Sequence, residues 1–143
     1  MIEQIKYKNK LYALIARKDF RKKKGISFFT PNDTNQQFGY MNHEKGHLIE
    51  PHKHKKRATK IFYTSEVIYL LKGKLRVDFY TEKRNYLFSK IIKANDMITL
   101  IQGSHGFKTI EPVEMFEVKQ GPFNIKHDKV KFEKIDERKI KIK

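Results

Sequence analysis

With 143 residues the chain has the length of one domain, enough to bury a core without covalent staples. It contains no cysteine, which excludes disulfides, thiolate metal sites and a cysteine nucleophile. Its 32 lysines and arginines against 16 acidic residues leave a formal charge of +16, spread along the chain with local clusters at 21–24, 53–60 and 139–143. Charge spread in this way reads first as solvated faces. It reads second as a positive potential that draws in a small anionic substrate, such as a nucleotide-linked metabolite. No helix-turn-helix or RNA-binding signature accompanies it, so no nucleic-acid partner is expected. No apolar run approaches the roughly 18–20 residues of a membrane span. The opening Met-Ile-Glu-Gln-Ile-Lys lacks the apolar stretch of a signal peptide. The expectation is a soluble cytoplasmic protein with no membrane partner.

In chain order, strands are predicted over 11–16, 26–30, 37–41, 46–51, 61–72, 74–80, 86–92, 97–102, 106–110 and 114–119, from period-two alternation or short apolar runs. Lys72-Gly73 reads as a tight hairpin, 82–85 as a second turn, Asn95-Asp96 as a third and 103–106 as a glycine-flanked bend. No segment predicts a long helix. The lysine-rich stretch from about 133 to 143 reads as a short helix, an extended arm or a disordered tail. Glu66, Ile68 and Leu70 share one strand face and Val67, Tyr69 and Leu71 the other. Both faces are apolar apart from Glu66, which implies a barrel wall covered by a second layer or by a dimer partner. Many short, evenly spaced strands predict one all-β domain over 1–143, a sandwich or a barrel.

The chemistry-bearing residues gather around "GHLIEPHKH", 46 to 54. In a strand His52 and His54 would share a face, where they can act as metal ligands, as acid/base catalysts or as surface histidines. Glu66 is a carboxylate in an apolar run, costly to bury unless paired or metal-bound. His43 and His127 stand beside polar neighbours and read as surface residues. His47 lies five positions before His52, on the opposite face of a regular strand, and reads as a surface residue or one behind the site.

Gly46, five residues, His52-x-His54, then Glu66, six residues and Gly73 resemble the first motif of the cupin family. Eleven residues separate His54 from Glu66 where that motif has three or four. Asn95, five residues, Ile101-x-Gly103, one residue and His105 resemble the second cupin motif, with Asn95 in place of its first glycine and Ile101 in place of its proline. The resemblance covers about 46 to 120. It implies a double-stranded β-helix, or jelly-roll barrel, that forms a homodimer. It also implies a divalent metal (Zn, Mn, Fe or Ni) held by His52, His54, Glu66 and His105, a ligand set that suits such ions. Gln102, Tyr69, Phe107 and Lys119 are candidate pocket residues.

The stretches 65–80 and 103–123 are similar to small single-domain cupins associated with bacterial surface-polysaccharide gene clusters. That resemblance implies a metal-dependent, isomerase- or epimerase-like enzyme acting on a sugar or an anionic sugar nucleotide. His52-Lys53-His54-Lys55 is also similar to the H-x-H-K segment of sugar-nucleotide ketoisomerases. There the histidine pair, His52 and His54, would be catalytic as acid and base without a metal. The third reading is a non-catalytic sugar-binding barrel.

Overall fold

A computed structural model describes every residue except 125 and 127, so the expected surface position of His127 lies outside the described residues. The strands are β1 (Ile2–Tyr7), β2 (Lys10–Ala16), β3 (Gly25–Phe28), β4 (Gly39–Asn42), β5 (Glu66–Lys72), β6 (Lys74–Tyr80), β7 (Tyr86–Lys93), β8 (Met97–Leu100), β9 (Ser104–Thr109) and β10 (Glu114–Lys119). A 3-10 turn spans Glu137–Lys139. The molecule is all-β, and every pairing between these strands is antiparallel. Among the described residues no helix is long and apolar enough to cross a membrane.

One sheet has the order β1-β2-β8-β5-β10, a second β7-β6-β9, and β3-β4 form a separate ribbon. The two larger sheets face each other across one core. Ile68 and Leu70 of β5, Ile98 and Leu100 of β8, and Leu75, Val77 and Phe79 of β6 fill it at every second position, as the pleat requires. From β5 onward the chain alternates between the sheets except at the β6–β7 hairpin: β5, β8 and β10 lie in one, β6, β7 and β9 in the other.

That alternation corrects the hairpin predicted at Lys72-Gly73. β5 and β6 lie in different sheets, so the glycine turns a corner between layers. Gly73 has φ +83°, and a Cβ there would lie 2.0 Å from the carbonyl oxygen of Pro112. Glycine is required here for close backbone approach as well as for its dihedral. The turns at 82–85 and Asn95-Asp96 occur as expected, with Arg84 and Asn95 at positive φ. The side chain of Asp96 secures its turn by accepting from the backbone N–H groups of Lys18 and Lys93 and from Arg17.

Two further expectations are corrected. Residues 46–51 form no strand, and 61–65 lie outside the strand that follows. Pro51 withholds a ladder donor, and the lysine-rich run after it has no apolar alternation to bury. β1 was not predicted. It closes onto β2 through Lys8 and Asn9, both at positive φ, the dihedral pattern of a two-residue hairpin turn. Within the chain, the outer face of β5 is half-buried at Val67 and Tyr69 and exposed at Leu71.

Candidate functional site

Strand parity brings Glu66 and His105 together. Glu66 opens β5 and pairs with the core residue Leu100 of β8, on the inner face with Ile68 and Leu70. His105 is the second residue of β9 and stands opposite the core residue Phe79 of β6, so its imidazole also faces inward. The two side chains arrive from opposite sheets at the same end of the barrel. His105 Nε2 lies 3.0 Å from Glu66 Oε2. Glu66 is 4% exposed, and a buried carboxylate persists only when paired. His105 supplies that partner. Lys129 Nζ, 3.7 Å from Glu66 Oε1, adds a positive charge.

The hydrogen bond from His105 holds the Glu66 carboxyl below its ordinary pKa. Burial opposes this, and the charges of His105, Lys129 and Lys119 reinforce it. With Glu66 ionised, Nε2 of His105 is the donor, which leaves Nδ1 as the ring position for exchanging a proton with a ligand.

The pair lines a cleft of about 690 Å³, within the usual range for small-molecule sites. Arg84, Lys129, Lys131 and Lys134 make part of its wall cationic, while Phe62, Tyr63 and Phe132 supply aromatic surface. Tyr80 packs edge-to-face on Phe132 at 5.2 Å between ring centres, and its hydroxyl accepts from the N–H of Ile135. Burial pushes the Tyr80 phenol above its ordinary value, so it is neutral at physiological pH.

His52 and His54 stand elsewhere. Both are exposed on the irregular segment between β4 and β5, and neither lines the cleft. Their rings meet edge-to-face at 5.3 Å, with Nδ1 of His52 2.9 Å from the carbonyl oxygen of Glu50. His47 is exposed and stacks on His43 at 4.0 Å. Of the candidate pocket residues, Gln102 lines the cleft and donates to the carbonyl of Leu11. Phe107 packs on His105 at 5.2 Å between rings. Tyr69 lies on the far face of β5 and bonds Asn95, and Lys119 is paired with Asp128 at 2.7 Å.

Two of the four residues expected as metal ligands therefore come together here. A carboxylate oxygen and an imidazole nitrogen have the donor chemistry of a borderline divalent ion, but they are two donors. Among the described residues no three His, Asp or Glu side chains gather to hold one.

Tyr80, Arg84 and the wall from Lys129 to Lys134 were not anticipated. The wall's one sequence signal is the interleaving of lysine with apolar residues over Lys129-Val130-Lys131-Phe132, all of which line the cleft. No family model, curated protein or solved structure matches the chain.

Proposed function

We propose that this barrel is a cupin-type jelly roll whose cleft moves a proton on a sugar or sugar nucleotide, in the manner of an isomerase or epimerase of surface-polysaccharide metabolism. The alternation of β5 through β10 between two antiparallel sheets supports the jelly roll. The observation that carries the chemistry is the buried Glu66–His105 pair lining a cleft whose wall is cationic in part, at Arg84, Lys129, Lys131 and Lys134, and aromatic in part.

In this reading His105 is the proton carrier and Glu66 orients it. A carbon-bound proton next to a substrate carbonyl passes to Nδ1 of His105, and its bonding electrons move into the enolate. The ring becomes an imidazolium stabilised by the Glu66 carboxylate at Nε2–H. The proton then returns to the former carbonyl carbon while the adjacent hydroxyl gives its proton to the enolate oxygen and becomes the new carbonyl, or it returns to the same carbon once the planar enolate presents its opposite face; either way the ring is neutral again. The cationic wall suits a diphosphate, and the aromatic side chains suit a base or a sugar face.

The test is conversion of a panel of nucleoside-diphosphate sugars, followed by NMR. His105→Asn should abolish conversion and leave the fold and ligand binding intact. Conversion at the wild-type rate in that variant would remove His105 from the chemistry. Binding without conversion by the wild type would leave the non-catalytic sugar-binding barrel.

A second reading, a divalent metal held by His52, His54, Glu66 and His105, is favoured by one observation. The segment that carries His52 and His54 runs on into Phe62, Tyr63 and Thr64, which line the cleft. Eight residues from His54 to Phe62 span up to ~28 Å when extended, enough to fold the pair over the cleft. A metal bound there would polarise a substrate oxygen. About one metal per chain by elemental mass spectrometry, lost in His52→Ala/His54→Ala, supports this reading. Metal-free active protein would refute it.

A further inference from the structure

The chain beyond β10 returns across the outer face of the three-stranded sheet. Parity sends Leu75, Val77 and Phe79 of β6 into the core, and Arg76, Asp78 and Tyr80 outward. Those three outward side chains are nevertheless only 6%, 5% and 3% exposed. Residues 129–143 cover them as a strap.

The strap is held at three places. The carboxylate of Glu137 accepts from Arg76 through both terminal guanidinium nitrogens, at 2.7 and 3.1 Å, and lies 3.0 Å from Lys108 Nζ. The Ile135 N–H donates to the Tyr80 hydroxyl at 3.2 Å. At the far end Ser89 of β7 donates its N–H to the Lys141 carbonyl at 2.8 Å and accepts from the Lys143 N–H at 3.0 Å. Arg76 is itself fixed from behind by Asp78, at 2.7 and 2.9 Å.

Charge explains why Glu137 matters among these anchors. Residues 129–143 carry seven basic side chains against three acidic ones, on a chain already at +16. The host protein repels such a segment unless an acid draws it down. Glu137 meets two cations on the sheet, Arg76 and Lys108. Its neighbour Asp136 is turned to Arg138, within the strap. The part of the strap just before these anchors is the cleft wall that bears Lys129, Lys131 and Lys134.

We infer that Glu137 is a positioning residue: its ion pair with Arg76 holds the strap where Lys129, Lys131 and Lys134 form the wall that receives the diphosphate of a nucleoside-diphosphate-linked ligand. The inference rests on the reading of this cleft as the substrate site. Glu137 itself touches no ligand; it acts through the backbone of the strap.

Uridine diphosphate is the probe. Its affinity would be measured by calorimetry for the wild type, Glu137→Gln, Lys131→Ala and the double variant. Amide hydrogen exchange would be followed in all four proteins. Charge-assisted pairs of this kind support an expectation of about tenfold weaker binding in Glu137→Gln. Exchange over 129–135 should accelerate while β5 and β8 stay protected. Lys131→Ala should weaken binding in the wild type and add little once Glu137 is gone, because the lysine is then no longer in place. A purely structural role for Glu137 would give no such coupling. If the wild type binds uridine diphosphate and Glu137→Gln binds it equally well, or exchange over 129–135 is unchanged, the positioning role is wrong and the cleft reading stands. If the wild type does not bind it, both fall.

Discussion

Gly73→Ala tests the corner between the two sheets. Two costs can be separated. An L-residue at φ +83° carries a dihedral penalty of about 1–2 kcal/mol. The added methyl would also lie 2.0 Å from the Pro112 oxygen, 2.9 Å from its carbonyl carbon and 3.2 Å from Val113 Cγ1, where real Cβ atoms essentially never approach closer than 3.0 Å. At least an ångström must open between two backbone segments. Such overpacking costs about 1–3 kcal/mol. The same movement strains the bonds from Ala94 N–H to the Gly73 carbonyl and from Ile110 N–H to the Lys74 carbonyl. The total is roughly 2–5 kcal/mol, or a fall in Tm of about 10 °C for a chain of this size. Gly46→Ala is the control, since Gly46 has φ +85° and an added methyl there would meet nothing within 4 Å. It should show the dihedral cost alone. Thermal and urea unfolding of the two variants beside the wild type provide the assay. Equal losses in both, or a Gly73→Ala loss below about 1 kcal/mol, would refute the close approach at Pro112.

Arg76→Leu should destabilise the protein by about 3–5 kcal/mol, because it leaves the Asp78 carboxylate buried with Ser89 as its one remaining side-chain partner among the described residues. Arg76→Leu/Asp78→Leu should recover much of that loss, and additive losses in urea unfolding would count against the pair. The Glu66 pKa lies below its ordinary value of 4.5 in the folded state, so its ionised form adds stability that is fully present above pH 4.5. That stability is lost as pH falls through the folded value. The stability gap between wild type and Glu66→Gln should therefore narrow on acidification below pH 4.5, and a gap that widens would refute the pairing with His105. Glu137, held at about 2 by Arg76 and then Lys108, should release the strap only as pH falls from 4.5 toward 2. Amide exchange over 129–135 at pH 5 and pH 3 would report this, and release above pH 5 would contradict it.

Much of the fold was legible because β5 to β10 alternate with a period of two and end in turn residues. Lys72-Gly73 misled because local turn chemistry is the same whether the next strand pairs beside the last or crosses to the facing sheet. The approach of Pro112 that decides the matter comes from the far side of four intervening strands in sequence. β1 escaped notice because Ile2-Glu-Gln-Ile-Lys-Tyr buries only Ile5 fully, as edge strands do, and its turn uses Lys8-Asn9 instead of the commoner Asn-Gly. In the site, Glu66 stood out as a carboxylate on an otherwise apolar strand face, and His105 through the spacing after Gly103. The placement of His52 and His54 depended on residues 46–51 being a strand, and that segment is irregular. The cationic wall was hidden because it depends on residues 129–134 returning to β6, a long-range contact that no local pattern encodes.

The most direct test of the central claim, that His105 held by Glu66 carries the proton, is solvent exchange. Wild type, His105→Asn and His52→Ala/His54→Ala would each be incubated with nucleoside-diphosphate sugars in D2O. Carbon-bound deuterium would then be read by mass spectrometry. The account predicts incorporation by the wild type and by the His52/His54 variant, with a loss of about 10²–10⁴-fold in His105→Asn. Undiminished exchange in His105→Asn, or exchange lost in the His52/His54 variant and kept in His105→Asn, would contradict it.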